Sequence, residues 1–193
     1  YRLVRQVGAG GMGRVYLAMH ERPDFEGPVA LKVIRRRLDT EDVLYRFQLE
    51  RRLLASLKHP NVAHLTDAGQ TPDGRPYFVM EFVEGVPIDA YCKRNELSIR
   101  ARLRLMKLVC DAVQHAHNNL TVHRDPKPSN ILVSGEGNPV LLDFGIGKLV
   151  DPSEAPEVAT TKTTARAFTP EYAAPEQIRG DPVSTATDVY GIG

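Results

Sequence analysis

The stretch T-V-H-R-D-P-K-P-S-N-I-L-V, from Thr121 to Val133, constrains this chain more than any other. His123, Arg124, Asp125, Lys127 and Asn130 fall within eight residues, between two apolar segments. Asp125 precedes Asn130 by five positions. That spacing can place one group at the proton of a nucleophile and the other at a metal ion. Pro126, directly after Asp125, raises the opposite question. A proline removes one N–H and biases the residue before it away from the α region. If the loop needs that N–H, or an α-like Asp125, the base is displaced. If it needs neither, Pro126 stiffens the loop.

The elements around this loop read in two parts. Val29 to Ile34 alternates as a strand, with Ala30, Lys32 and Ile34 on one face. Apolar runs at 62–66 and 76–82 flank a turn containing Asp73-Gly74, which is a hairpin signal. A helix is expected over about 40–57, with Val43, Phe47, Leu54 and Leu57 as its stripe and Glu50 in the middle. Further on, Ser98 is an N-cap candidate for a helix carrying Ile99, Leu103, Met106, Cys110 and Val113 on one face. Short strands follow at 131–133 and 140–142. Residues 151–167 are rich in Pro, Ala and Thr without a period, the pattern of a long mobile loop, and such loops inside compact domains are often functional. The simplest parse is a β-rich lobe at 1–83 and a helical lobe at 84–193.

The 193 residues suffice for one large domain or two small lobes. Lys and Arg number 25 against 24 Asp and Glu, so bulk charge attracts neither nucleic acid nor membrane. The run Arg35-Arg36-Arg37 is too short to change that and reads as a solvated strand end. Cys92 and Cys110 lack any CxxC or Cys/His neighbourhood, which argues against zinc or a disulfide framework and fits a reducing, cytoplasmic compartment. No apolar run approaches the roughly 18 residues of a membrane span. The chain stops just as an apolar pattern begins at Val189-Tyr190, as expected of a fragment of something longer.

Three further features carry chemistry. In G-A-G-G-M-G-R-V, Gly8 to Val15, glycines at 8, 10 and 13 allow the backbone to approach phosphate oxygens. Alone this pattern also fits a flexible turn. The Rossmann reading needs a helix after the glycines, and Arg14 to Ala18 reads as a strand. Lys32 lies on a half-buried strand face and Glu50 in an apolar helix stripe, each costly unless paired. They are expected to pair with each other, either to hold a cation for phosphate or as a plain rim ion pair. Asp143-Phe144-Gly145 follows an apolar strand, where the carboxylate suits the hard-oxygen preference of Mg²⁺.

The order glycine-rich loop, Lys32, Glu50, His123-Arg124-Asp125, Lys127, Asn130, Asp143-Phe144-Gly145 and Ala174-Pro175-Glu176 resembles the protein-kinase signature set over the whole chain. G-A-G-G-M-G-R-V-Y and T-P-E-Y-A-A-P-E-Q-I-R-G resemble bacterial members of the serine/threonine class. The resemblance implies an α+β, bilobal fold: an antiparallel N-terminal sheet with one helix, then a mainly helical, incomplete C-terminal lobe. It implies ATP and Mg²⁺ as cofactors and proteins as substrates, with no nucleic-acid partner. By it, Gly8, Ala9, Gly10, Gly11, Met12 and Gly13 cover the ATP phosphates. Lys32, held by Glu50, orients them. The backbone of Glu81 to Val83, after Met80, binds the adenine edge, and Val15, Ala30 and Leu132 sandwich the ring. Asp125 takes the hydroxyl proton, Lys127 steadies the γ-phosphoryl, and Asn130 and Asp143 ligate Mg²⁺.

The resemblance also implies regulation. Lys127 and Thr169 match the Ser/Thr class, and Arg124 is placed to grip a phosphorylated loop, with Thr160, Thr161, Thr163 and Thr164 as candidate acceptors and Thr163 and Thr164 best placed relative to Thr169. Asp188 matches an aspartate that braces the backbone of the His-Arg-Asp motif. Glu176 is expected to lack the arginine that partners it in the family. Pro126 stands where the family has an aliphatic residue, and Gly147 where alanine is common. Pro126 keeps open a second class of function, a nucleotide-binding module that transfers no phosphate.

Overall fold

The computed structural model describes residues 1–10, 13–21, 27–35, 41–144 and 169–193, without the side chains of 41–44, 46 and 50. Among these residues the chain divides into two compact units, one of 1–52 and 65–82 and the other of 53–64, 83–144 and 169–193.

The first unit is built on five antiparallel strands: β1 (Arg2–Gly10), β2 (Gly13–Met19), β3 (Pro28–Ile34), β4 (Leu65–Gln70) and β5 (Pro76–Glu81). Their order is β1-β2-β3-β5-β4. The β4–β5 turn is the hairpin expected at Asp73-Gly74. Gly74 takes φ +81°, a value open to glycine, and its N–H donates to Thr71 O at 2.8 Å. Edge strand β1 is exposed along most of its length and carries register shifts between Leu3 and Arg5 and between Gln6 and Gly8.

Alternation along β3 gives the sheet two buried faces. Leu31 packs with Ala18 and Val79 beneath Tyr1, Tyr16 and Tyr77. Lys32 lies beside Phe78 in register on the other face. Phe47 of α1 (Glu41–Ser56) packs on Phe78 with ring centroids 5.0 Å apart. Phe47 thus covers Phe78, the residue that stands opposite Lys32 on that face. Of the stripe expected for α1, Phe47, Leu54 and Leu57 are buried. The Val43 side chain lies outside the described residues.

The second unit holds a small sheet, β6 (Gly85–Pro87), β7 (Ile131–Ser134) and β8 (Pro139–Leu141), in that order. Its helices are α2 (Ile88–Arg94), α3 (Ile99–Asn118), α4 (Pro175–Arg179) and α5 (Thr185–Ile192). Segment 57–64 docks on β8: Leu141 N–H donates to Asn61 O, Ala63 N–H to Leu141 O, and the buried Asn61 amide to Pro139 O at 2.7 Å. Ser98 caps α3 as expected, its hydroxyl accepting from Ala101 N–H. The face that α3 buries matches the expected one only in part, with Val113 buried and Met106 half-buried. Leu105, Val109, Ala112, Val113 and Ala116 are buried, whereas Ile99, Leu103 and Cys110 are exposed. The buried arc runs through the small residues Ala112 and Ala116, both fully buried. Strand, sheet and helix content match the α+β, protein-kinase-like class expected. Residues 145–168 lie outside the described set, and with them Gly145, Gly147 and the four candidate threonines.

Candidate active site

In the first unit the glycine-rich segment closes the β1–β2 hairpin, where Gly10 pairs with Gly13. Gly11 and Met12 lie outside the described residues. Gly13 has a specific steric reason to be glycine, because a Cβ there would overlap the carbonyl oxygen of Val33. Gly8, Val15, Lys32 and Phe78 stand opposite one another on four successive strands. Directly opposed residues share a face, so Val15 sits beside Lys32. Ala30 pairs with Leu17 and Met80. Lys32 is 6% exposed, as buried as the pattern requires. Its expected partner Glu50 has a side chain outside the described residues. Met80 is buried, Glu81 ends β5 exposed, and Val83, in the second unit, is half-buried, as is Leu132 on β7.

The second unit assembles the Thr121–Val133 loop from both ends. His123 is fully buried between α3 and β7, its ring 4.8 Å from Phe144. Its Nε2 lies 2.8 Å from Leu142 O, and its Nδ1 accepts from Asp125 N–H at 3.3 Å. A carbonyl only accepts, so the ring proton belongs on Nε2. Both nitrogens of the neutral imidazole are then used. Burial holds the His123 pKa below the ordinary histidine value, against the opposing pull of Asp188.

Asp188, at the start of α5, is also fully buried. Its Oδ1 accepts from Arg124 N–H and its Oδ2 from His123 N–H, both at 2.7 Å, so it braces the loop as the sequence implied. His117 adds an Nε2 contact to Oδ2 at 2.7 Å, a partner the sequence reading did not name. Gln177 of α4 was missed as well. Its Nε2 donates to Arg124 O at 2.8 Å, and its Oε1 accepts from Ala174 N–H at 3.1 Å. These bonds hold Arg124 at φ +69°, and Asp143 sits at φ +54°. Non-glycine residues in the left-handed region are uncommon and gather at functional sites.

Around Asp125 the polar groups converge. Lys127 Nζ lies 2.7 Å from Asp125 Oδ2 and donates to Thr169 Oγ1 at 2.6 Å. Asn130 Nδ2 donates to Asp125 O at 2.9 Å and Oδ2 at 3.2 Å. The side-chain nitrogen of Asn130 is thus committed to Asp125, which leaves its side-chain oxygen Oδ1 as the atom able to meet a cation. Leu142 N–H donates to Asn130 O at 2.8 Å and ties that residue to the segment ending in Asp143. Among the described residues no group of three or more His, Cys, Asp or Glu could hold a metal. One carboxylate and one amide oxygen suit Mg²⁺, which keeps waters and takes substrate phosphates for its other ligands.

Glu176, expected to lack the arginine that partners it in the family, takes a hydroxyl donor: Thr187 Oγ1 donates to its Oε1 at 2.6 Å. That hydroxyl, more than any other group, holds the Glu176 carboxyl below the usual carboxylate value.

The family model for the protein kinase domain matches residues 1–193. This chain belongs to the protein kinase domain family. The kinase domain is 38% identical over 199 residues to the serine/threonine-protein kinase PknA of Mycobacterium tuberculosis, covering all of this chain and 44% of that protein. It is 40% identical over 198 residues to the serine/threonine-protein kinase Pkn1 of Myxococcus xanthus, covering 27% of it. A crystal structure of the M. tuberculosis PknI kinase domain superposes with a TM-score of 0.73 at 28% identity, over 98% of this chain and 68% of that one. The kinase domain therefore spans less than half the length of these curated relatives. Among its described residues no helix is long and apolar enough to cross a membrane.

Proposed function

We propose that this kinase domain transfers the γ-phosphoryl group of ATP to Ser/Thr hydroxyls of proteins. The observation that carries the reading is the Lys127 ammonium shared between Asp125 Oδ2 and Thr169 Oγ1. Lys127 and Asn130 both bind Oδ2 and fix the carboxylate, which turns Oδ1 into the atom offered to a substrate hydroxyl. As the hydroxyl oxygen bonds to the γ-phosphorus, its proton passes to Asp125, and the bond to the β–γ bridging oxygen breaks to release ADP. Lys127 balances charge on the transferring group. Lys32 holds the α- and β-phosphates. Asn130 and Asp143 would hold Mg²⁺, which would supply neutralisation of the phosphate charge. Such chemistry draws its rate from positioning and fixed charge.

The serine/threonine preference is supported by Thr169 beside Lys127 and by the names of the relatives. The domain's own Thr160, Thr161, Thr163 and Thr164 are proposed among its acceptors. The test is intact-mass measurement after incubation with Mg²⁺ and ATP, beside Asp125→Asn. Phosphate on the parent alone is the expected result. A folded parent that binds ATP yet gains no phosphate would sink the reading in favour of a binding module.

A further inference from the structure

The catalytic-loop proline and a glycine in the last turn of α5 meet in space. Glycine is the poorest helix former apart from proline, so Gly191 inside α5 asks for a reason. A Cβ on Gly191 would lie 2.8 Å from Pro126 Cγ, 3.2 Å from Pro126 Cδ and 3.4 Å from Tyr172 O. The first distance is shorter than real Cβ contacts, and a pyrrolidine ring cannot rotate out of the way as an open side chain would. Pro126 is itself buried. Its ring therefore occupies a notch that exists because residue 191 has no side chain.

We propose that Gly191 is a positioning residue for the Asp125 base, acting through Pro126, and that the two are a matched pair. The inference rests on the proposed phosphotransfer reading for its kinetic arm. The segment around Asp125 is pinned on both sides. On one side, Asp188 takes the His123 and Arg124 amides and Gln177 takes the Arg124 carbonyl. On the other side, the chain is held by the seat of the Pro126 ring. The first anchor cannot slide, because Arg124 already sits in a left-handed conformation with little room. A displacement of Pro126 must then be absorbed by the one residue between the anchors, Asp125. Its carboxylate would leave Lys127 and Asn130, the two groups that aim it. Nothing in this chain of contacts involves the glycine-rich hairpin or Lys32, so ATP affinity should not follow.

The experiment is a double-mutant cycle on the full chain with Gly191→Ala, Pro126→Ala and both together. Gly135→Ala serves as control, because its added Cβ meets nothing within 4 Å. Turnover with a protein substrate, KM for ATP, and amide hydrogen exchange over residues 122–127 are read for each. Gly191→Ala is expected to lower kcat about tenfold or more, raise exchange over 122–127 and leave KM for ATP within about twofold. Adding Pro126→Ala should restore kcat and protection to within about threefold, since the ring that clashed is gone. Independent losses in the two single variants that simply multiply in the double would overturn the proposal. So would a Gly191→Ala variant with parental turnover and exchange. If Gly191→Ala does not fold, refolding of the double variant supports the pairing and its failure overturns it. A parent without phosphotransfer defeats the functional reading alone, and the exchange arm then decides the pairing.

Discussion

Replacing Asp188 by asparagine keeps the side chain's shape and removes one acceptor. The carboxylate now takes three contacts at 2.7 Å: Arg124 N–H on Oδ1, with His123 N–H and His117 Nε2 on Oδ2. An amide oxygen can replace Oδ2, but its NH₂ then faces the Arg124 N–H, donor against donor. A buried donor left without an acceptor costs about 1–3 kcal/mol, and a hydrogen bond to a charged group is worth about 1 kcal/mol more than a neutral one. With one donor orphaned and two bonds weakened, the loss comes to roughly 3–5 kcal/mol. That is a large part of a domain's usual ~5–15 kcal/mol. At about 2–4 °C per kcal/mol for a chain of this size, Tm should fall by roughly 6–20 °C. Calorimetry on the full chain and the Asp188→Asn variant at neutral pH reads this directly. A variant melting within about 2 °C of the parent would refute the argument, since the carboxylate would then not be holding the loop.

Two other perturbations test separate parts of the account. Thr187→Val removes the hydroxyl that chiefly depresses the Glu176 pKa, so that value should rise toward 4.5 in an NMR titration. A depressed carboxylate gives stability above its unfolded pKa and loses it as pH falls through the folded one, so the variant's unfolding free energy should vary less below about pH 4.5. Gly13→Ala should cost about 3 kcal/mol or more through the Val33 carbonyl, whereas Gly10→Ala, with nothing within 4 Å of its added Cβ, should stay within about 0.5 kcal/mol in denaturant unfolding.

What could be read from the sequence was what repeats or clusters. Alternation placed Lys32 beside Ile34 on one of the two buried faces of β3, and Asp73-Gly74 marked the hairpin because a left-handed turn needs its glycine. The loop at 123–130 showed itself through its density of polar side chains. The face of α3 was legible only in part, because apolar residues lie on more than one side: Leu103 is exposed and Leu105 buried, Cys110 exposed and Val109 buried. Periodicity alone cannot choose between such arcs, and small residues such as Ala112 and Ala116 carry little weight in a hydrophobic count. Thr187 as the donor to Glu176 was not legible, because a hydroxyl leaves no charge pattern in the sequence. His117 and Gln177 left no local signal. Each earns its place from a partner more than fifty positions away, Asp188 in one case and Arg124 O in the other.

Among the described residues β1 is the outermost strand of the first unit, which has a consequence for self-association. An edge strand presents unpaired N–H and C=O groups at regular spacing, a template on which another chain can add. On β1 the exposed aliphatics Leu3, Val4 and Val7 would favour such addition. Arg2 and Arg5 put positive charge along the same strand, and two register shifts within nine residues break its straight repeat of hydrogen-bonding groups. A second β1 laid alongside would bring like charges together and find no continuous ladder to match. The irregularity of this strand thus works against edge-to-edge aggregation, and straightening it would expose the sheet to self-association.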